Sequence, residues 1–598
     1  MDDTCGYTPA SPAGKVCSPG RWCFVMPAPQ GNTLYSVFTI SSTDVWAAGD
    51  AATVIHWDGS SWSGTSGLVD GGTGESSARF YTVWASGPGD VWLAGTTGTA
   101  PLLMRGDGTH WNVVSVPTSG NNLTRFQGIW GTGPNDVWVG SYRNGSLYHW
   151  DGTSWTRAVY ADNGATYIRY VTGVAKNDLY VMTNDPYLQH FDGSTFTDLT
   201  ALEYGLDGVW ATPGAGLWAG RDGMGRLWHL VGSTWISYQI PGAYAVNGVW
   251  GDSPSSLWVS GSTGTTSGTP ALWRFNNGTW TVIPLASSGG VLAVSGPTNQ
   301  SDAIAVGRSG EIALLTGATA VENPHTGATT YDVQGSSSSN VWIAGGPGFR
   351  ATHWDGAGLT DYALGGSGSF TAAGVSPGGD VWTATTNVSY KFDGASFVAQ
   401  TGPAGVTPNM FWAPQNDSVW VTSGTNAVYN WTGSAWQTVS HALVGSSVVF
   451  RAVWGASLTN VWLAGSAGIT QHYDGTSWTP YTTPDTTADI MGVWGWDATH
   501  ALATSAGGVI YSWNGQQWVQ SHSLVGGLGR IHGCNQNDIW AVRSDASRVE
   551  HYDGATWSDS GTGSAVPSTA VWCAAPGDAW IAGIVSGTAA GGPVLRRQ

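Results

Sequence analysis

A unit of about 41 residues recurs fourteen times along this chain of 598 residues, and the repeat constrains the fold more than any other feature. Each copy contains a segment like Asp44–Gly49, in which Asp-Val-Trp is followed by small residues. The third residue of that segment marks the copies at Trp46, Trp92, Trp138, Tyr180, Trp218, Trp258, Ile304, Trp342, Trp382, Trp420, Trp462, Leu502, Trp540 and Trp580. A period of this length is typical of the blades of a β-propeller.

Every unit also carries signals for four short strands. A Val-Trp-Gly segment such as Gly248–Gly251 predicts the first strand, and the marker segment predicts the second. The run from His149 to Trp155 then places Asp-Gly between two apolar stretches, which indicates a tight hairpin between the third and fourth strands. The chain is therefore predicted to be all-β, a β-propeller of fourteen four-stranded repeats.

The number of repeats and the two ends of the chain bear on how the blades are arranged. One ring usually holds roughly four to eight blades, so we expect two seven-bladed rings, with one large ring as the alternative. Residues 21–317 are assigned to the first propeller, residues 318–598 to the second, and residues 1–20 to a disulfide-containing N-terminal segment. The last copy ends before a fourth strand, and Arg21–Pro27 resembles a fourth strand that lacks its hairpin, so we expect it to complete the last blade. If it instead pairs with the eroded seventh copy, residues 316–319 become a crossover.

Composition excludes several classes of function. Charged residues make up 10% of the chain and the net charge is -18, so a nucleic-acid partner, which requires a basic surface, is not expected. No stretch approaches the ~18 consecutive apolar residues of a transmembrane helix. Because no phosphate loop, Ser-His-Asp set or metal-ligand cluster is recognisable, we predict no catalytic residue, no metal and no cofactor.

The cysteines point to an oxidising compartment. Cys5, Cys17 and Cys23 lie close together near the N-terminus, which favours a disulfide among them, and Cys534 and Cys573 lie in adjacent repeats and are candidates for a second. The first residues carry no apolar signal sequence, so either a signal peptide has been removed or the protein is cytoplasmic. We favour removal, and expect a secreted or cell-envelope-associated protein.

Residues that recur in most copies are expected to serve packing. The repeated Trp side chains are interpreted as core residues that wedge between neighbouring blades. The Asp of Asp-Val-Trp is interpreted as a cap for backbone amides. A histidine precedes many of the hairpins, at His56, His149, His190, His229, His353, His472 and His551. Since these lie on separate blades, they are expected to form structural hydrogen bonds and not one metal site.

Function is then expected where the copies differ. The connections before the first strand and between the second and third strands vary in length, and both emerge on one face of a blade. Arginines and aromatic residues concentrate there, which suits the carboxylates and rings of an acidic glycan. The alternative, with equal weight, is that these arginines pair with nearby acidic residues and hold the loops. The candidate ligand-binding residues are Arg79, Arg125, Arg143, Arg169, Arg221, Arg308, Arg350, Arg451, Arg530, Arg543, Tyr81 and Tyr170.

The Trp-Asp-Gly-x-x-Trp hairpin, as in Trp57–Trp62, resembles the Asp-box turn of sialidase-like propellers, although the Ser of that motif is absent. The chain as a whole resembles secreted bacterial β-propeller repeat proteins with Asp-box-like hairpins. It is also similar to xyloglucan-active glycoside hydrolases in its expected pair of rings, which would imply two catalytic carboxylates that the sequence does not reveal.

Three functions remain open at this stage. The first is a non-catalytic extracytoplasmic binding protein whose variable rim takes a ligand, with an acidic glycan favoured. The second is a protein-interaction scaffold at the cell envelope, so that the expected partner is a glycan or an envelope protein. The third is a polysaccharide-degrading glycoside hydrolase.

Overall fold

The structure is a computed structural model. It describes residues 16–27, 29–68, 77–117, 123–142, 145–158, 167–183, 188–199, 207–212, 216–221, 223–264, 269–285, 290–297, 302–317, 319–323, 330–345, 349–364, 370–385, 388–400, 408–423, 425–544, 547–583 and 593–597. Across these residues the only helical elements are two short 3-10 turns, Arg308–Gly310 and Ser466–Gly468. No helix in the described ranges has the length and apolar character needed to cross a membrane.

The strands form fourteen antiparallel four-stranded sheets, which we number as blades 1 to 14. Blades 1 to 7 comprise, in order, Leu34–Ser41, Asp44–Gly49, Val54–Trp57 and Trp62–Thr65 (β2 to β5); Arg79–Gly87, Asp90–Thr96, Pro101–Gly106 and Trp111–Val113 (β6 to β9); Arg125–Gly133, Asp136–Tyr142, Leu147–Trp150 and Trp155–Ala158 (β10 to β13); Ile168–Ala175, Asp178–Thr183, Leu188–Phe191 and Phe196–Leu199 (β14 to β17); Asp207–Thr212, Gly216–Arg221, Arg226–Val231 and Thr234–Gln239 (β18 to β21); Ala243–Ser253, Ser256–Thr263, Pro270–Asn276 and Thr279–Pro284 (β22 to β25); and Val291–Ser295, Ala303–Gly307, Ile312–Thr316 and Thr319–Glu322 (β26 to β29).

Blades 8 to 14 follow the same plan. They comprise Thr330–Ser337, Asn340–Gly345, Arg350–Trp354 and Leu359–Ala363 (β30 to β33); Phe370–Val375, Val381–Thr385, Ser389–Phe392 and Phe397–Gln400 (β34 to β37); Pro408–Gln415, Ser418–Ser423, Val428–Trp431 and Trp436–Thr438 (β38 to β41); Phe450–Ser457, Asn460–Gly465, Ile469–Tyr473 and Trp478–Thr482 (β42 to β45); Ile490–Gly495, Ala501–Ser505, Val509–Trp513 and Trp518–Ser523 (β46 to β49); Leu528–Asn535, Asp538–Arg543, Arg548–Tyr552 and Trp557–Gly561 (β50 to β53); and Ala570–Ala575, Asp578–Ala582, Val594–Arg597 and Trp22–Met26 (β54 to β56, with β1 last).

The blades fall into two compact units of seven, and each unit closes into a ring. In the first unit the first strands of neighbouring blades touch in succession, and β26 of blade 7 returns to β2 of blade 1. In the second unit the same succession ends with β54 of blade 14 against β30 of blade 8. This confirms the predicted fold of two seven-bladed propellers and excludes the alternative of one large ring.

The N-terminal strand completes the last blade, as the chain ends suggested. Strand β1 pairs antiparallel with β56, with Phe24 opposite Leu595, and it belongs to the second unit. The conditional crossover at residues 316–319 is wrong, because Thr316 and Thr319 face each other across an ordinary hairpin that gives blade 7 its own fourth strand. The two units divide between Gly327 and Ala328, whereas the sequence-based boundary lies after residue 317.

Within each ring, a Trp of one first strand packs over a Gly of the next blade's first strand. A Cβ at Gly131 would lie 2.9 Å from the ring of Trp84 in the preceding blade, closer than packed carbon atoms approach. The same contact joins Trp130 to Gly173, Trp250 to Gly296, Trp412 to Gly455, Trp454 to Gly495, Trp494 to Gly533 and Trp572 to Gly335. The Gly of the Val-Trp-Gly motif is thus required by the neighbour's indole, and the Trp572–Gly335 contact closes the second ring.

A second set of contacts organises each blade around the marker Trp. In blade 1 the Asp44 carboxylate accepts a hydrogen bond from Nε1 of Trp46 at 2.9 Å and lies 2.9 Å from Nε2 of His56, whose ring stacks on the Trp46 indole. The interpretation of this Asp as a cap for backbone amides is therefore wrong in its main point, because the carboxylate binds side chains across the sheet. In blade 13, Asp538 does both, since it also accepts the amide of Gly577 at 2.7 Å. The expected structural hydrogen bonds are made by His56, His149, His190, His353 and His551, whereas Nε2 of His472 has no hydrogen-bond partner among the described residues.

The hairpin Asp residues serve their own turns. Oδ1 of Asp58 accepts hydrogen bonds from the backbone amides of Ser60 and Ser61, both at 2.8 Å. Gly59, between Asp58 and Ser60, adopts a φ of 93°. The amide of Ser61 and the other donors of this turn hold the pKa of Asp58 well below its usual range. Each turn is therefore built without a metal or a distant residue.

Disulfides occur at both ends of the described chain. Cys534 and Cys573 are bonded, with 5.2 Å between their Cα atoms, and they join the first strands of blades 13 and 14. Cys17 and Cys23 are also disulfide-bonded, while Cys5 lies outside the described residues. The bond at Cys534 therefore ties blade 14, the last blade of the second ring, to blade 13.

The Trp–Gly contact generates a prediction within one strand. Replacing Gly131→Ala should destabilise the first unit by about 1–3 kcal/mol, because the new methyl group meets both the Trp84 ring and the carbonyl oxygen of Asp136. Gly133→Ala, two residues along, meets nothing within 4 Å and should be neutral or slightly stabilising. Urea unfolding followed by Trp fluorescence measures both variants, and equal midpoints for the two would refute the role given to Gly131.

Candidate functional site

The first unit encloses an open channel along its axis. The channel has a volume of about 510 Å³ and is lined by the first strands of all seven blades. None of the described residues that line it carries a charge. A ligand that enters this channel therefore meets neutral surface only.

Several hydroxyl and amide groups in the channel wall are engaged between blades. The hydroxyl of Ser36 accepts the amide of Val83 at 3.2 Å, and that of Ser295 accepts the amide of Thr39 at 3.2 Å. Asn247 donates its amide to the carbonyl of Val291 at 2.7 Å. These bonds hold neighbouring blades together, and they use part of the hydrogen-bonding capacity of the wall.

Aromatic side chains form part of the wall, whose exposed surface is otherwise more polar than apolar. Trp130, Trp210 and Trp250 come from blades 3, 5 and 6, and each is half-buried. Within the described residues, none of these indole N–H groups has a hydrogen-bond partner. Phe38 and Tyr170 complete an aromatic lining that combines apolar area with a few N–H donors.

The mouth of this channel, at the beginning of the first strands, carries an ion pair. Nε of Arg79 lies 3.0 Å from the carboxylate of Asp50, and the hydroxyl of Tyr35 donates to the same carboxylate at 3.2 Å. Burial raises the pKa of Asp50, and burial together with the Asp50 charge raises the pKa of Tyr35 to about 12. Arg79 is thus neutralised by the protein itself.

A second arginine lies beside this pair, between two tyrosines. The guanidinium of Arg125 is 4.5 Å from the ring centre of Tyr81 and 3.4 Å from that of Tyr142, and it donates to the Tyr81 hydroxyl at 3.1 Å. Tyr142 in turn stacks on Tyr167 at 4.5 Å. We call Tyr35, Asp50, Arg79, Tyr81, Arg125, Tyr142 and Tyr167 the mouth cluster.

In the second unit an ion pair joins the first strands of two blades that are not neighbours. Arg530, from the first strand of blade 13, lies 2.6 Å from the carboxylate of Asp332 in blade 8 and donates to the carbonyl of Asn409 in blade 10 at 3.0 Å. Asp332 is fully buried and also accepts the amide of Ala373 in blade 9 at 3.0 Å. Arg530 is therefore a structural tie between blades on different sides of the ring.

His532 lies next to this tie. It occupies the place that Trp holds in blades 10, 11, 12 and 14, and it packs between Trp494 and Trp572. Its Nδ1 accepts the amide of Cys573 at 3.2 Å, which identifies a neutral imidazole. Although the residue is partly exposed, the surrounding protein lowers the pKa of His532 to about 4 through desolvation.

The other predicted site residues lie in different parts of the two units and do not form one cluster. Arg451 forms a two-point ion pair with Asp489, and Arg543 lies near Glu550 and Asp559 while donating to the carbonyl of Val525. Arg169 lies on β14 beside Tyr170, and Arg308 and Arg350 are exposed in different units. Arg143 lies outside the described residues, as does the side chain of Arg221 at the end of β19.

Of the twelve candidates, the structure therefore brings Arg79, Tyr81 and Arg125 into one cluster, with Tyr170 in the wall of the same channel. Sequence reasoning missed Tyr35, Asp50 and Tyr142. A usable signal existed for Tyr35, which stands in the first strand of blade 1 where Tyr81 stands in blade 2. Nothing in the sequence marks Tyr142, because its contact with Arg125 depends on how β11 ends.

One set of potential metal ligands falls together in the part of the chain that the structure describes. It consists of Cys534, Asp538 and Cys573. The two sulfur atoms are bonded to each other, and Asp538 is engaged with Trp540 and His551, so the arrangement does not fit a metal ion.

The buried ion pair can be tested by removing one partner. Arg530→Met should lower the free energy of unfolding of the second unit by about 3–5 kcal/mol, because the buried carboxylate of Asp332 is left without its counter-charge. Arg350→Met, which alters an exposed arginine of the same unit, should change it by less than about 0.5 kcal/mol. Urea midpoints measure both; a midpoint for Arg530→Met equal to that of Arg350→Met would exclude the structural tie.

His532 predicts a pH dependence of stability. Since the folded pKa of about 4 is below that of an unfolded histidine, the contribution is complete above pH ~6.5 and is lost as the pH falls from there towards 4. Allowing for the partial exposure of the residue, the loss should be roughly 1–3 kcal/mol. Thermal midpoints between pH 7.5 and 4.5 should fall less steeply for His532→Phe than for the natural protein, while His110→Gln, at an exposed histidine, should leave the slope unchanged.

Comparison with known proteins bears on the fold. No family model and no curated protein matches this chain. A solved structure of PorZ, an essential bacterial surface component of the type-IX secretion system of Porphyromonas gingivalis, is similar with a TM-score of 0.64 at 13% identity, covering 97% of this chain and 87% of that chain. YCF48 bound to D1 peptide matches with a TM-score of 0.40 at 15% identity over 51% of this chain and 100% of that one. A virginiamycin B lyase from Staphylococcus aureus with quinupristin gives a TM-score of 0.40 at 12% identity, covering 46% and 96%. The likeness to PorZ supports the propeller fold reached from the sequence.

Proposed function

We propose that this protein is a non-catalytic binding protein of the cell envelope, and that it binds a partner protein through the channel and mouth cluster of its first unit. The observation that carries the proposal is the contrast inside that unit. The channel is open and free of charged side chains, and it presents aromatic rings beside polar groups, several of which hold neighbouring blades together. Such a wall suits a polypeptide, whose apolar side chains pack on aromatic rings while its backbone forms hydrogen bonds.

An envelope location is part of the same proposal. Disulfides persist in oxidising compartments, and Cys534–Cys573 and the bonded Cys17 and Cys23 fit a secreted chain. PorZ is described as a bacterial surface component of a secretion system, which favours a surface role for a chain of similar fold. The hairpin turns, in which Asp58 and its counterparts bind their own amides, are compatible with the Asp-box kinship suggested by the sequence.

An acidic glycan on the variable rim is the second candidate, and its support is narrower than the sequence suggested. Arg79, Arg451 and Arg530 each pair with a carboxylate of the protein. The exposed Arg308 and Arg350 favour this candidate, because guanidinium groups at the surface can bind carboxylates or sulfates. They lie in different units and do not form a single described cluster.

A glycoside hydrolase has less support still. Glu550 and Asp559 lie opposite each other on neighbouring strands of blade 13. Arg548 pairs with Asp559, and His522 lies 3.6 Å from Glu550, so these carboxylates belong to an ion-pair network within and beside the blade. A general acid and a nucleophile need access to a sugar, which this packing does not favour.

Site-specific photo-crosslinking in producing cells tests the proposal. Leu292, in the channel wall, is replaced by benzoylphenylalanine, and Val282, which is exposed on the fourth strand β25 of the same unit, provides the matched control position. We expect a discrete protein adduct from position 292 and no such adduct from position 282. An adduct that consists of polysaccharide would favour the glycan candidate, and identical adducts at both positions, or none at position 292, would overturn binding in the channel.

A further inference from the structure

We propose that the ligand of the first unit's channel is an extended, apolar polypeptide segment that carries one carboxylate, and that Arg125 binds this carboxylate at the mouth. The inference rests on the proposed function and deepens it, because protein binding in the channel does not by itself require a carboxylate. Two features of the site carry it, namely the state of Arg125 and the hydrogen-bonding capacity of the wall.

Arg125 is the cation of the mouth cluster whose charge is not used by the protein. In the described part of the chain its guanidinium contacts the Tyr81 and Tyr142 rings and the Tyr81 hydroxyl, with no carboxylate in an ion pair. Arg79 differs, because Asp50 lies 3.0 Å away. The two tyrosine rings fix the plane of the Arg125 guanidinium before any ligand arrives, which suits two-point binding of a carboxylate.

Tyr81 links this cation to the channel. Its hydroxyl accepts from Arg125, and its side chain lines the channel wall. A carboxylate held by Arg125 therefore lies at the mouth, with the remainder of the ligand directed past Tyr81 into the neutral interior. Only one negative charge is matched at this place, so a polyanion such as an acidic polysaccharide is a poor fit.

The interior favours a peptide over a neutral sugar. Sugar hydroxyls need several donors and acceptors, yet Ser36, Asn247 and Ser295 are engaged between blades. The unpartnered indole N–H groups of Trp130, Trp210 and Trp250 offer donors only. Backbone carbonyls of an extended peptide accept from such donors, while its apolar side chains cover the aromatic faces.

The carboxylate can belong to an Asp or Glu side chain or to a chain terminus, and the chemistry at Arg125 is the same. The test therefore begins with selection of random peptides, displayed with free C-termini, against the full-length natural protein. Selected peptides are then synthesised with the acidic side chain replaced by its amide, with an amidated terminus, and with both changes.

We expect the selected peptides to be rich in apolar residues and to carry one carboxylate. Removing that carboxylate should weaken binding by on the order of tenfold or more, as loss of a charge-assisted hydrogen bond does. Arg125→Gln should produce a similar loss with the unmodified peptide and no further loss with the amide peptide. Lys176→Gln, which removes one exposed positive charge on a turn between the first and second strands of blade 4, provides the matched control and should leave affinity unchanged.

The outcomes distinguish carboxylate binding by Arg125 from protein binding in the channel. Peptides that bind in the channel with equal affinity as acids and amides would overturn the role of Arg125 and leave protein binding intact. Failure to select any peptide, together with no protein adduct at position 292, would overturn both. Because the amide peptides are tested on the natural protein, the conclusion does not depend on whether Arg125→Gln folds, and Arg125→Lys, which keeps the charge but not the planar fork, should give an intermediate loss.

Discussion

The contact of an indole with a bare backbone is the interaction on which both rings depend. In the described part of the chain, seven Trp side chains of first strands each cover a Gly of the following blade's first strand, and no Cβ fits between them. A large aromatic surface is removed from water at the narrowest part of the ring, where neighbouring strands are closest. Since Trp572 covers Gly335 in the same manner, the last blade of the second unit is held to the first by the contact that also joins blades 10 to 13 in succession.

This constraint explains why the fold could be predicted from the sequence. Packing residues recur in most blades, so Trp, Gly and the Asp-Gly hairpins repeat with a nearly fixed period, and the number of blades, the two rings and the role of Trp22–Met26 could all be predicted. The crossover considered at residues 316–319 was wrong for a related reason. Loss of the hairpin motif there removed the signal and not the strand, because Gly317 adopts a φ of 61° and makes the turn without Asp.

The site was much less predictable, because it depends on contacts between different blades. Composition and position identified the arginines of the variable face, but not their partners. Arg79 and Arg530 are both paired to carboxylates, whereas Arg125 lies between two tyrosines. No local pattern distinguishes these cases, since each partner comes from a blade that is distant in sequence or from the end of another strand. The same limit applied to Asp44, whose side-chain partner His56 lies across the sheet.

The two units place side chains of different charge at equivalent positions of the same scaffold. Thr82 in the first unit and Asp332 in the second occupy equivalent positions of their first strands. Thr82 faces Ala94 and Asp332 faces Ala344, and each of these alanines lies two residues after the marker Trp of its second strand. In the first unit the Thr82 hydroxyl donates to the carbonyl of Gln127 in the neighbouring blade. In the second unit the Asp332 carboxylate forms an ion pair with Arg530 of a blade that is not its neighbour. Burying a charge is costly unless a counter-charge accompanies it, so a channel without charged groups disfavours a charged ligand group in its interior. A cation held at the mouth and a neutral wall behind it therefore impose an order on any ligand, with the charge left near solvent and the apolar part inside.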